Sequence, residues 1–221
     1  METAILILPG GPGVGYEYLR PELSELGSLA RVAFFEQRRG GHFDLFLDEV
    51  ECVRERLGLV RPILLGHSFG GLLAMRYAME YQERVAALIL VDPDPASRAL
   101  WARHTEVMGA RPASSPMSRY FASGVAPEGF EARFTDISRD ATTRESLGDW
   151  DFHDRLREIR GPVLIVTGDR SIFPPEAMER LRSGIPGASL AVLPNASHFP
   201  QIEAHDEFMR VVGEFLPRVR P

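Results

Sequence analysis

At 221 residues the chain can bury one sizeable core and reads as a single domain with room for an insertion. Its net charge of -6, with no basic stripe, excludes nucleic acid and anionic membrane surfaces as expected partners. All 25 basic residues are arginine, so lysine Schiff-base chemistry and a Walker-type phosphate loop are ruled out. The apolar start at 4–8 is too short for the core of a signal peptide, and no run approaches the roughly 18 apolar residues of a membrane span. A cytoplasmic location is therefore expected. The single Cys52 forms no internal disulfide, and a helix over 43–57 predicts a packed, unreactive thiol there.

In chain order, β-rich runs at 3–8, 31–35, 62–65, 87–91, 162–167 and 189–193 alternate with helical patterns at 16–26, 43–57, 72–81, 174–183 and 204–216. Such alternation predicts an α/β fold, a mostly parallel sheet of about six strands flanked by helices. Ligand chemistry then belongs at the carboxyl ends of the strands. The rhythm breaks between 93 and 149, where prolines separate short helical pieces and no strand is evident. Trp101, Met108, Met117, Tyr120, Phe121, Phe130 and Phe134 give this stretch more apolar bulk than a solvated loop needs. It reads as a short helical cap, 93–149, inserted into a core made of 1–92 and 150–221. Its aromatics either contact substrate or form the cap's own small core.

Chemistry concentrates where the third apolar run stops at Gly66-His67-Ser68-Phe69-Gly70 and passes directly into a helical pattern. That is the strand, sharp turn and helix of a nucleophile elbow, which would present Ser68 at the sheet edge. A serine hydroxyl needs a base, and His198 is the best placed of the six histidines, in the loop after the last strand. His67 adjoins Ser68 but points elsewhere, which suits packing or support of the site; His42, His104, His153 and His205 read as surface residues. The loop Pro9-Gly10-Gly11-Pro12-Gly13 opens toward the same edge. Its Gly11 N–H would pair with the Phe69 N–H to hold an oxyanion, and its spacing matches neither phosphate-binding glycine motif.

Together these pieces resemble the α/β-hydrolase superfamily. Pro9-Gly10-Gly11-Pro12-Gly13 is similar to the His-Gly-Gly-Pro-Gly loop of prolyl iminopeptidase-like serine hydrolases, and Glu36-Gln37-Arg38-Arg39-Gly40-Gly41 is similar to their Asp-Gln-Arg-Gly-x-Gly segment. The resemblance covers essentially the whole chain and implies an α/β-hydrolase fold with Ser68, His198 and a carboxylate as catalytic residues. No metal or cofactor is required.

Three departures shape the expectations. Pro9 replaces the family's histidine at the head of the oxyanion loop. The family usually has two further strands ahead of this loop, so the strand at 31–35 would become a sheet edge; an uncovered edge would favour a homodimer, with helix pairing as the alternative. In the family the acid stands three residues after the glycine that ends the penultimate strand, and after Gly168 that slot holds Ser171. The candidates are then Asp169, Asp92 at the end of the strand before the cap, or no carboxylate, with Ser171 alone. The leading expectation is a serine hydrolase that cleaves a small ester or amide, with Asp169 as acid and Asp92 as the alternative. A non-hydrolytic ligand receptor on the same fold and a cofactor-free lyase are its rivals. An aminopeptidase would also need acidic cap residues for a free amine, for which Glu106, Glu128, Glu131 and Asp136 are available.

Overall fold

Successive residues of the strands divide between two apolar layers, and this alternation builds the domain in the computed structural model, which describes residues 4–111, 114–134 and 142–219. Leu6, Leu8, Leu64, Leu88 and Ile165 enter one layer, while Ile5, Ile7, Ile63, Leu65 and Ile89 enter the other. A strand with both faces apolar must be covered on both, as in a parallel sheet between helices.

Six strands satisfy that demand: β1 (Ala4–Leu8), β2 (Arg31–Phe34), β3 (Ile63–His67), β4 (Ala87–Val91), β5 (Val163–Gly168) and β6 (Ser189–Leu193). They form one sheet in the order β2-β1-β3-β4-β5-β6, parallel throughout. The inner strands β1, β3, β4 and β5 are buried along their whole length, whereas β2 and β6 are partly exposed, as edges are. The strand expected at 31–35 is thus an edge.

The helices differ from expectation mainly where proline or a local break intervenes. The single helix expected over 16–26 is three pieces, with α1 (Arg20–Leu23) between 3-10 turns at Tyr16–Tyr18 and Ser24–Ser28. Pro21 in its first turn has no N–H to continue a longer ladder. Next come α2 (Asp44–Arg56) and α3 (Phe69–Glu80), the latter starting immediately after Ser68. The stretch 93–149 contributes α4 (Arg98–Ala102), α5 (His104–Gly109) and α6 (Thr142–Glu145), with 3-10 turns at Met117–Tyr120 and Glu131–Arg133. It contains no strand among its described residues. Then follow α7 (Pro175–Gly184), α8 (Pro200–Glu203) and α9 (His205–Phe215). Cys52 lies on the exposed face of α2, so the packed thiol expected there is not found: the layer takes Phe46, Leu47 and Val50 from this helix and leaves position 52 to solvent.

No helix among the described residues is long and apolar enough to cross a membrane.

Candidate active site

The turn from β3 into α3 is tight enough to dictate its own residues. Ser68 sits at φ 54°, ψ -122°, a conformation that side chains rarely adopt. A methyl group at Gly66 would meet the Gly70 carbonyl oxygen at 2.2 Å, and one at Gly70 would meet the Leu8 carbonyl oxygen at 2.1 Å. Both glycines of the elbow are therefore demanded by backbone contact. Among the described residues the other non-glycine positions with positive φ are Asp92 at 38° and Asn195 at 57°. All three follow parallel strands and converge on one end of the sheet.

There Asp92 is wholly buried, and its Oδ2 lies 2.6 Å from His198 Nδ1. Its other oxygen accepts from the Thr167 hydroxyl at 2.5 Å and from the Ser171 hydroxyl at 2.7 Å. Strand register explains the first contact, since Val91 pairs with Val166 and so sets Asp92 beside Thr167. Asp169 is not at this position. It is exposed, because the turn after β5 ties the Asp169 and Arg170 amides to the Leu193 and Ala196 carbonyls and brings Ser171 inward instead. The structure thus joins the alternative carboxylate, Asp92, to His198 and leaves Asp169 outside.

Ser68 and His198 both line a cavity of about 490 Å³. The Ser68 hydroxyl donates to Asp94 Oδ1 over 3.3 Å, and Asp94 Oδ2 accepts from Arg144 over 2.6 Å. Asp94 is 1 % exposed, and the guanidinium above it lies 4.9 Å from the Trp101 ring and 5.4 Å from that of Phe69. Gly11 lines the cavity, and neither its N–H nor that of Phe69 has an acceptor among the described residues. These are the two amides expected to face an oxyanion.

His67 is more than packing. The Gly10 N–H donates to the Tyr18 hydroxyl over 2.7 Å, Tyr18 donates to His67 Nδ1 over 2.7 Å, and His67 Nε2–H donates to the His198 carbonyl over 2.8 Å. That carbonyl can only accept, which fixes the tautomer of His67. Burial, reinforced by the neighbouring His198, holds the His67 imidazole well below its usual range, so it stays neutral. Burial likewise pushes the Tyr18 phenol upward and keeps its proton available for donation. Gln37, in the segment after β2, bridges the glycine loop by accepting from the Gly13 N–H at 2.8 Å and donating to the Pro9 carbonyl at 3.4 Å.

The stretch 93–149 splits its apolar residues. Trp101, Met117, Tyr120 and Phe134 line the cavity, while Phe121 and Phe130 are buried in the second layer and Met108 packs against the first. His104, expected at the surface, also lines the cavity. Glu106, Glu128 and Glu131 are exposed and do not line it, and Asp136 lies outside the described residues. Among the described residues the acidic ones on the cavity wall are Asp94 and Glu145. Sequence reasoning missed Arg144 and Tyr18; Asp94 was visible only as a second carboxylate following Asp92 at a strand's carboxyl end, and Gln37 only as part of the segment resembling the family's, with no role attached to either.

A model of the alpha/beta hydrolase family matches residues 5–211. The chain belongs to that family. Curated relatives similar to it include a proline iminopeptidase of Saccharolobus solfataricus, 26% identical over 97% of this chain and 85% of the relative. Another is a 2-hydroxy-6-oxo-6-phenylhexa-2,4-dienoate hydrolase of Comamonas testosteroni, 28% identical over 97% of this chain and 87% of the relative. The crystal structure of a Mycobacterium smegmatis proline iminopeptidase superposes with a TM-score of 0.80, at 24% identity, over 97% of this chain and 89% of that one, which shows the shared fold. The chain is accordingly an α/β-hydrolase enzyme resembling the prolyl iminopeptidases.

Proposed function

We propose that this α/β-hydrolase is a serine hydrolase of small esters or amides that works through an acyl-enzyme on Ser68. The observation that carries this reading is the buried 2.6 Å pairing of His198 with Asp92 at the wall of the cavity that Ser68 also lines. Substrate entry would turn the Ser68 hydroxyl from Asp94 to His198, whose Nε2 takes the proton as Oγ bonds to the carbonyl carbon. The carbonyl electron pair moves onto oxygen, where the unpartnered Gly11 and Phe69 amides would hold it. Asp92 fixes the imidazole tautomer and stabilises the imidazolium. His198 returns the proton to the leaving alcohol or amine, and water, deprotonated in turn by His198, releases the acid. The apolar walls at Trp101, Met117 and Phe134 suit a small acyl group.

A second reading, an amide substrate with a free amine beside the scissile carbonyl, draws on Asp94. Its buried carboxylate stands 3.3 Å from Ser68 Oγ, and some relatives are named proline iminopeptidases.

A fluorophosphonate probe tests the serine mechanism. Folded protein should be labelled at Ser68 and lose turnover of p-nitrophenyl acetate in parallel, while Ser68→Ala stays unlabelled; a wild type that resists labelling overturns the reading. Turnover of proline p-nitroanilide well above that of the acetate would favour the second.

A further inference from the structure

Two hydroxyl groups converge on a single oxygen of Asp92. Thr167 Oγ1 and Ser171 Oγ donate to Oδ1 at 2.5 and 2.7 Å, which leaves Oδ2 to His198 Nδ1. The direction of the Ser171 proton is fixed, because the Asp92 carboxylate can only accept, and the Ser171 oxygen itself accepts from the Phe173 N–H at 3.0 Å. Ser171 occupies the slot after Gly168 where the resembling hydrolases carry a carboxylate, so the hydroxyl stands in that slot and reaches back to the carboxylate of the preceding strand.

An aspartate carboxyl turns about its last torsion in a broad, nearly two-fold well. Held only by the imidazole, it would swing between orientations. A cation on the far oxygen would stop that swing but also cancel the charge that the imidazolium needs, whereas neutral hydroxyls restrain it and draw off only part of the charge.

We propose that Ser171 is a positioning residue which, with Thr167, clamps Asp92 by the oxygen away from His198, so that Oδ2 meets the imidazole in one orientation. The inference rests on Asp92 being the orienting carboxylate.

The charged and titratable groups facing this pair come from every neighbouring loop. Arg111 interacts with Asp92 and donates to the Ser171 carbonyl at 2.7 Å and to Ser197 Oγ at 2.7 Å. Glu203 and His67 act on His198, and Asp94 with Arg144 stands across Ser68. Ser171→Ala leaves all of these in place, so any change in pH dependence reports the lost hydrogen bond.

The test is the pH profile of p-nitrophenyl acetate turnover by the full chain. Ser171→Ala should lower kcat roughly tenfold with KM changed less than about twofold. The acidic limb should move up by about half a pH unit, because a carboxylate with fewer donors holds the imidazolium more tightly. Ser171→Thr, which keeps the donor, should restore both. A folded Ser171→Ala with unchanged kcat and limb overturns the proposal. If Ser171→Ala does not fold, Thr167→Val removes the other donor and must move the limb the same way; an unmoved limb overturns it equally. Asp92→Asn separates the two layers: full turnover there removes the carboxylate reading itself, and this inference with it.

Discussion

Asp92 and Asp94 stand on one loop with a single proline between them, at 0% and 1% exposure, yet they are held in opposite ways. Asp92 is gripped by two hydroxyls and an imidazole, all of which are neutral when His198 carries one proton. Asp94 is bound by Arg144, a permanent cation, and takes the Ser68 hydroxyl as its second partner. A carboxylate already neutralised by a guanidinium has little left for an imidazolium, whereas one held by hydroxyls keeps its charge for the base. The partners, not the carboxylates, divide the labour between two chemically identical groups.

That division breaks most visibly at Asp92. Asp92→Asn should slow ester turnover on the order of a thousandfold or more at matched folded fraction, by analogy with triad variants elsewhere. Asp169→Asn should stay within about twofold, as expected of an exposed group. Equal losses for the two would dissolve the contrast. At Asp94 the larger effect should be on stability. Arg144→Met leaves a buried carboxylate without its cation and should cost about 3 kcal/mol in thermal or denaturant unfolding, near the low end for such pairs because Arg144 is partly exposed. Adding Asp94→Asn should return most of that loss, and a double variant no better than the single one would mean that the pair is not the cause.

The smallest effect sharpens the comparison with a group kept neutral by design. His67 is held well below its ordinary value of 6.5 by burial, so below that pH the unfolded chain binds a proton that the folded chain refuses. Its contribution is therefore intact above about pH 6.5 and is lost as pH falls, at up to about 1.4 kcal/mol per pH unit until the folded form also protonates. His67→Gln should flatten that part of the stability profile; an unchanged slope would assign the acid sensitivity to other groups.

Much of the architecture was legible in the chain because it follows from local period. Runs such as 87–91 and 189–193 coincide with β4 and β5's outer neighbour β6, and the interval without strands carries only short helices among its described residues. The elbow was legible for another reason: at Gly66 and Gly70 the backbone itself approaches within a methyl's reach, so the constraint is written in residue type. The carboxylate was not. Which of Asp92, Asp169 and Ser171 turns inward depends on the path of a tight turn, set by amide contacts with the loop after β6 that no spacing rule encodes. Tyr18 and Arg144 were invisible likewise, and Gln37 was visible only as part of a motif and not as a bridge, since each acts through a partner far away in sequence.

The hydrogen-bonded file from Gly10 through Tyr18 and His67 to the His198 carbonyl ties the segments after β1 and β6 to each other through the end of β3. Opening any one of them strands a buried donor or acceptor in another, at a cost of about 1–3 kcal/mol for each group left unpaired. These loops therefore share one opening free energy. The groups proposed to do chemistry are thus tied to the end of the sheet, and the freedom needed to admit a substrate would fall instead to the cavity-lining residues of α4, α5, α6 and the Met117–Tyr120 turn.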